Sequence, residues 1–201
     1  MQEEPSSRRR RPKQARSIAK IEAIREAAAQ VVARDGAEAA TTTRIAKRAG
    51  VSVGTLYQYY ADRDAVLDDM LSELLARVVA AVQAAAVLPA ETPLRDRLEA
   101  LALAVIAELA PYPGLLRRLD AVPGQRVRER LDQAKEQARA LFLGLLAVHP
   151  HTLAGRGPAL VTRIAADMAE GILWNLRADD EPAVIAAEMA ALSAAWLEAP
   201  R

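Results

Sequence analysis

With 201 residues, 52% of them hydrophobic and 26% charged, the chain has room for one full domain or two small ones and the balance of a folded protein rather than a disordered one. Alanine fills 45 positions, and with leucine it favours helix, while the β-branched and aromatic residues of strands are thin; an all-α chain is expected, and all-β and parallel α/β architectures are set aside. The absence of cysteine excludes disulfide scaffolds, thiol nucleophiles and thiolate metal sites and suits a reducing, cytoplasmic setting, and the longest clean apolar run, Leu141 to Val148, is far short of the about 20 residues of a membrane span.

The sequence opens MQEEPSSRRRRP, without an apolar stretch, so no secretory signal is expected. Its charge is uneven. Residues 1–65 hold 13 Lys/Arg against 8 Asp/Glu, whereas residues 66–201 hold 14 against 18, so a net +1 hides a basic head on an acidic body. Residues 1–16, with Arg8, Arg9, Arg10, Arg11, Lys13 and Arg16, read as a basic, disordered arm. Such an arm either meets a polyanion or is simply solvated.

From Ser17 to about Arg34, apolar residues at Ile18, Ile21, Ile24, Ala28, Val31 and Val32 keep a helical period, and Asp35-Gly36 ends it. Thr41 to Ala49 is a short second helix closed by Gly50, and Val53 to Tyr60 a short third. Asp62 caps a long fourth helix whose stripe runs Val66, Leu67, Met70, Leu71, Leu74, Leu75, Val78 and Val82, to about Val87. Thr92-Pro93 reads as a cap followed by proline in the first turn, opening a helix with Leu94, Leu98, Leu101, Val105 and Leu109. Pro111-Tyr112-Pro113-Gly114 breaks the chain before a short piece to Leu119. Pro123-Gly124 breaks it again before a helix carrying Val127, Leu131, Ala134, Ala138, Leu141 and Leu145. A loop from His149 to Pro158 leads to two last helices, about 159–177 and 182–198.

The stretch 41–60, TTTRIAKRAGVSVGTLYQYY, has the layout of a helix-turn-helix: about two helical turns, a glycine turn and a second short helix. Ile45 and Ala46 face inward from the first helix, Val51 fills the turn and Leu56 anchors the second helix. The second helix begins with small residues, Ser52, Val53, Gly54 and Thr55, so its N-terminus can approach a phosphate backbone closely. Gln58 can bond adenine bidentately, and Thr55 or Val53 can pack on a thymine methyl. Tyr57 and Tyr59 are read as hydroxyl donors to phosphate, and Tyr60 as a packing residue.

On these residues, IAKRAGVSVGTLYQYY and the following ADRDAVL, the segment from about Ser17 to Leu67 resembles the DNA-binding domain of the TetR family of bacterial transcriptional regulators. The resemblance implies a DNA-binding domain over 17–61, with 53–60 as recognition helix, and a ligand-binding and dimerisation domain over 62–201. It also implies Arg63 on phosphate. Many members carry arginine where this chain has Thr43 and an acid where it has Arg44, so the usual capping box with Thr41 is lost. Thr43 and Arg44 join the DNA-facing set on the resemblance alone.

Other groups carry less. His149 and His151 sit in a proline loop with no carboxylate nearby and read as turn residues rather than metal ligands. Asp167 and Glu170 align with Arg163 and Trp174 at helical spacing and read as a solvated or rim face. No catalytic grouping, phosphate loop or dinucleotide motif is present, so neither enzyme activity nor a cofactor or metal is expected. The function implied is a ligand-responsive regulator, read as a repressor, that binds a palindromic operator as a homodimer and releases it on binding a largely apolar small molecule. The alternative is a DNA-binding protein whose body only dimerises or holds a protein partner. Expected pocket walls are Leu101, Val105, Tyr112, Leu116, Phe142, Leu145 and Trp174. The expected dimer face takes Ile164, Met168 and Ile172 from the penultimate helix and Ile185, Met189, Leu192 and Trp196 from the last, because both helices are apolar over a wide arc.

Overall fold

The computed structural model describes residues 11–89, 91–121, 125–147 and 157–199, and among these all regular structure is helical. Helix α1 (Arg11–Asp35) ends at Gly36, whose φ of +92° suits a residue without Cβ. It starts six residues before Ser17, so the part of the expected arm from Arg11 to Arg16 is helical; Pro12 is tolerated in the first turn, and Gln14, Ala15 and Arg16 are good helix formers. Arg8, Arg9 and Arg10 lie outside the described residues.

Helix α2 (Thr42–Arg48) is capped by Thr41, whose Oγ1 accepts from the Arg44 amide at 3.3 Å. The cap therefore survives without the acid of the usual box. The turn passes through Gly50 at φ +68° into α3 (Val53–Tyr57), capped by Ser52 on the Thr55 amide at 3.0 Å. Helix α3 is shorter than expected. The amides of Tyr59 and Tyr60 both bond the Leu56 carbonyl at 3.0 Å, which closes the helix and lets Tyr60 turn into the core.

Helix α4 (Arg63–Ala86) is capped by Asp62 on the Ala65 amide at 2.7 Å. Helix α5 (Leu94–Leu109) differs from expectation at its start: Pro93 itself is the cap residue, and Thr92 instead accepts a bond on its carbonyl from Arg97 Nε at 3.1 Å. Then follow α6 (Leu115–Asp120), α7 (Gln125–Ala147), α8 (Pro158–Trp174) and α9 (Pro182–Glu198). Helix α8 stops short of residue 177 because Leu176 leaves the helical path to be buried, while Asn175 Nδ2 donates to the Gly171 carbonyl at 2.7 Å. His149 and His151 lie outside the described residues.

Helix α1 packs on α2, α4 and α6, and α2 packs on α3. Helix α4 runs on from this head to pack against α5 and α7; α9 lies along α5, and α8 lies on α7 and α6. One continuous apolar core extends from Ile24, Val32, Ile45 and Leu56 in the head through Leu67 and Leu71 of α4 to Ile106, Leu119 and Leu131 in the body. A second cluster, Leu94, Leu98, Val161, Ala190, Ala194 and Leu197, closes the far end.

The α1–α4 junction also holds a polar clasp. Arg25 bonds Asp69 bidentately at 2.7 and 2.9 Å and reaches Glu73 at 2.9 Å, and the Tyr60 hydroxyl donates to Asp69 at 2.6 Å. The Arg25 guanidinium holds the Asp69 carboxyl below its ordinary value of 3.8, and burial with the same carboxylate pushes the Tyr60 phenol up. A carboxyl depressed in the folded state contributes stability above its unfolded value and loses it as pH falls through the folded one. Asp69→Asn is therefore expected to destabilise the chain by about 1 kcal/mol at neutral pH, the clasp being partly solvated. Thermal unfolding followed against pH should show the gap to wild type closing below the ordinary carboxyl value.

Candidate nucleic-acid interface and body cavity

The outer face of α2 and α3 is assembled from short, capped helices, so the side chains there are held by backbone geometry rather than by burial. Thr43, Arg44, Ser52, Gly54, Tyr57 and Gln58 are exposed, and Val53, Thr55, Tyr59 and Arg63 are half-buried. Behind this face Leu56 and Ile45 are fully buried. Tyr57 is 53% exposed, and its hydroxyl lies 3.2 Å from Thr42 Oγ1, a partner not expected from the sequence. Ser52 Oγ is 2.8 Å from Thr55 Oγ1, so both hydroxyls are oriented at the start of α3.

Tyr59 is placed differently from Tyr57. Its ring packs on the core and its hydroxyl donates to Ser17 of α1 at 3.4 Å, which ties α3 to α1. Val53 also packs against the core. Arg44 makes an ion pair with Asp35 at 3.0 Å, and Arg34 bonds the same carboxylate at 3.0 Å. The hydrogen bond from Arg34 leads in lowering the Asp35 pKa. Arg63 is turned along its own helix to Asp64 at 3.1 Å. Lys47 and Arg48 are exposed, with Arg48 Nε on Gln30 at 2.7 Å.

In the body, a cavity of about 450 Å³ lies among α4, α5, α7, α8 and α9, with Leu116 of α6 in its wall. Leu101, Val105, Leu116 and Trp174 line it as expected from the sequence. Tyr112 does not. Its ring is buried in the core beside α1, and its hydroxyl donates to the Glu26 carboxylate. Phe142 and Leu145 belong to α7, and their side chains fall outside the described ones. Sequence reading missed the share of α4, whose Leu75, Val78, Val79 and Val82 line the cavity. The signal was present: the apolar stripe of that helix continues well beyond the residues that the head can cover. Polar groups in the wall are few, chiefly Arg97, Lys135, Arg139 and Glu170.

Two elements of the cavity wall also touch the head. Helix α4 carries the clasp to Arg25, and α6 carries Arg118, whose guanidinium bonds the Val32 carbonyl of α1 at 3.2 Å. Of the expected dimer residues, Leu192 is 57% exposed and Met168 39%, and both also line the cavity. Ile164 and Ile172 are half-buried. Ile185 and Met189 are half-buried and pack in part on the main core, and Trp196 on the second cluster, with α9 lying on α5 through its small-residue line, Ala186, Ala190 and Ala194.

Residues 24–70, which span α2, α3 and most of the α1–α4 contact, match the family model of bacterial regulatory proteins, tetR family. The head is a TetR-family domain. Solved structures resemble the chain over nearly its whole length. FadR, the fatty acid degradation regulator from Bacillus halodurans, superposes with a TM-score of 0.74 at 20% identity, covering 87% of this chain and 94% of that one. A bacterial regulatory protein in the tetR family from Rhodococcus RHA1 gives 0.71 at 19% identity, covering 90% and 98%. KstR2, the ketosteroid transcriptional regulator of Mycobacterium tuberculosis, gives 0.65 at 22% identity, covering 88% and 94%. At these identities the likeness is one of fold. Among curated proteins, no relative matches. The head thus carries the family's DNA-binding domain, and the body shares the fold of these regulators.

Proposed function

We propose that the chain is a dimeric, ligand-responsive repressor that leaves its operator when a largely apolar small molecule fills the body cavity. The observation that carries this reading is the shared wall. The helices that bound the cavity, α4 and α6, are the same helices that hold α1 of the head, through Arg25–Asp69 and through Arg118 on the Val32 carbonyl. A ligand that favours a different seating of α4 and α6 shifts the head with them, and lowers DNA affinity by its differential binding to the two states. The size and apolar lining of the cavity support a sensing role over a body that only dimerises. The printed descriptions of FadR and KstR2, which concern fatty acids and ketosteroids, support an apolar effector here.

In this reading a two-fold dimer sets its recognition helices about 34–36 Å apart, one turn of DNA. Exposed Tyr57 meets phosphate, and Gln58 reads a base edge, with Ser52, Gly54 and Thr55 at the close approach. Thr43 and Arg44 flank that contact from α2. The test is operator binding by fluorescence anisotropy. Tyr57→Phe is expected to weaken binding to all sequences by about 1 kcal/mol, and Gln58→Ala to relax choice at one base pair by about 1–3 kcal/mol. Unchanged affinity and unchanged sequence preference in the double variant would remove α3 as the reading helix.

A further inference from the structure

We infer that the effector is an amphiphile with an anionic head group, and that Arg97 takes that head while the tail occupies the aliphatic cavity. The inference rests on the sensing role proposed above and names the chemical class of its ligand. Its ground is the charge of the cavity wall. Four ionisable side chains line the cavity: Arg97, Lys135, Arg139 and Glu170. Lys135 and Glu170 bond each other at 2.8 Å, with the ammonium 4.9 Å from the centre of the Trp174 ring, and so form a neutral pair joining α7 to α8. Arg139 is drawn to Glu136 at 2.6 Å and to Asp167 at 3.8 Å.

Arg97 is different. Among the described residues its partners are the carbonyl oxygens of Thr92 and Pro89, which accept hydrogen bonds and carry no net charge. A guanidinium offers five donors in a flat fork, so two carbonyls leave both its charge and part of its bonding capacity unmatched. Those two carbonyls anchor the fork of a side chain that lines the same cavity as Leu88, Leu98 and Leu101. Among the described residues, a cation anchored only by carbonyl oxygens, in the wall of an aliphatic cavity, selects a carboxylate or phosphate over a neutral or cationic head. A planar carboxylate fits the fork best.

The experiment compares three ten-carbon probes, decanoate, decanol and decyltrimethylammonium, by isothermal titration calorimetry on the full chain, with operator binding measured alongside. Decanoate is expected to bind about tenfold more tightly than decanol, and the ammonium most weakly, as one charge-assisted bond predicts. Arg97→Gln should bring decanoate and decanol together by weakening decanoate alone. Arg97→Lys, which keeps the charge and the folded loop, should retain most of the difference. Neutralising the internal pair together, by Lys135→Gln with Glu170→Gln, should leave the preference in place. Equal binding of decanoate and decanol by the wild-type chain would overturn the anionic head and leave the cavity as an effector site. Tightest binding of the ammonium would overturn it in the opposite sense. Preference lost in the Lys135/Glu170 variant but kept in Arg97→Gln would move the head group to α7. Binding of none of the three by a chain that still holds its operator would overturn both this inference and the sensing role.

Discussion

A chain carrying Leu192→Glu together with Met168→Lys is expected to run as a monomer at micromolar concentration and to bind its operator at least about a hundredfold more weakly, with its head still folded. Both side chains are large, apolar and exposed, on α9 and α8, in a body whose other large apolar groups are mostly packed. In the dimer proposed above they lie against the partner, where an unpaired charge would have to be desolvated. The size of the effect follows from linkage of the two heads: each half-site contact is weak alone, and joining two raises apparent affinity by about 10²–10⁴. Sedimentation and operator titration measure the two consequences separately. Met189 is a poorer choice for this test, although it lies on the expected stripe, because it packs in part on the main core and its replacement would unsettle the fold. A double variant that still dimerises would exclude this face. Met168 and Leu192 also line the cavity, so loss of the partner is expected to open that side of the cavity to water.

Leu56→Ala is expected to weaken operator binding by destabilising the head, not by loss of a DNA contact. Leu56 is 0% exposed and is the buried residue of α3. Removing such a side chain costs about 2–5 kcal/mol. Against a total stability of about 5–15 kcal/mol this is a large share, and for a chain of this length it lowers Tm by roughly 5–15 °C. Because Leu56 belongs to the same continuous core as Leu67, Leu71 and Ile106, the loss should register in one cooperative transition, followed by circular dichroism. Two separate transitions, with the body unaffected, would mean that the head is an independent folding unit.

The helix-turn-helix could be read almost residue by residue from the sequence. Its signals are local: a glycine at a turn that needs positive φ, small residues opening the second helix, and buried positions at Ile45, Ala46 and Leu56 set by helical period. The order of the helices and most of their ends were legible for the same reason, since caps, prolines and apolar periodicity act within a few residues. At two of the ends that differed, packing decided. Helix α3 closes early so that Tyr60 can reach Asp69, and α8 stops so that Leu176 can be buried.

The division of apolar surface was decided by tertiary packing. Periodicity marks a helix face as apolar without saying what covers it. The stripes of α4, α8 and α9 could serve a core, a cavity or a partner equally well, and Tyr112 could stand in a pocket wall or against α1. Val78 and Val82 proved to line the cavity, Met189 to serve both core and cavity, and Tyr112 to meet Glu26, 86 positions away. Ion-pair choice belongs to the same class. Arg44 on Asp35, Arg25 on Asp69 and Lys135 on Glu170 each join residues from different helices, and their charges alone do not select a partner. Caps and periods are fixed by neighbours along the chain, whereas walls and clasps depend on which helices meet, and that is settled only when the whole core is buried at once.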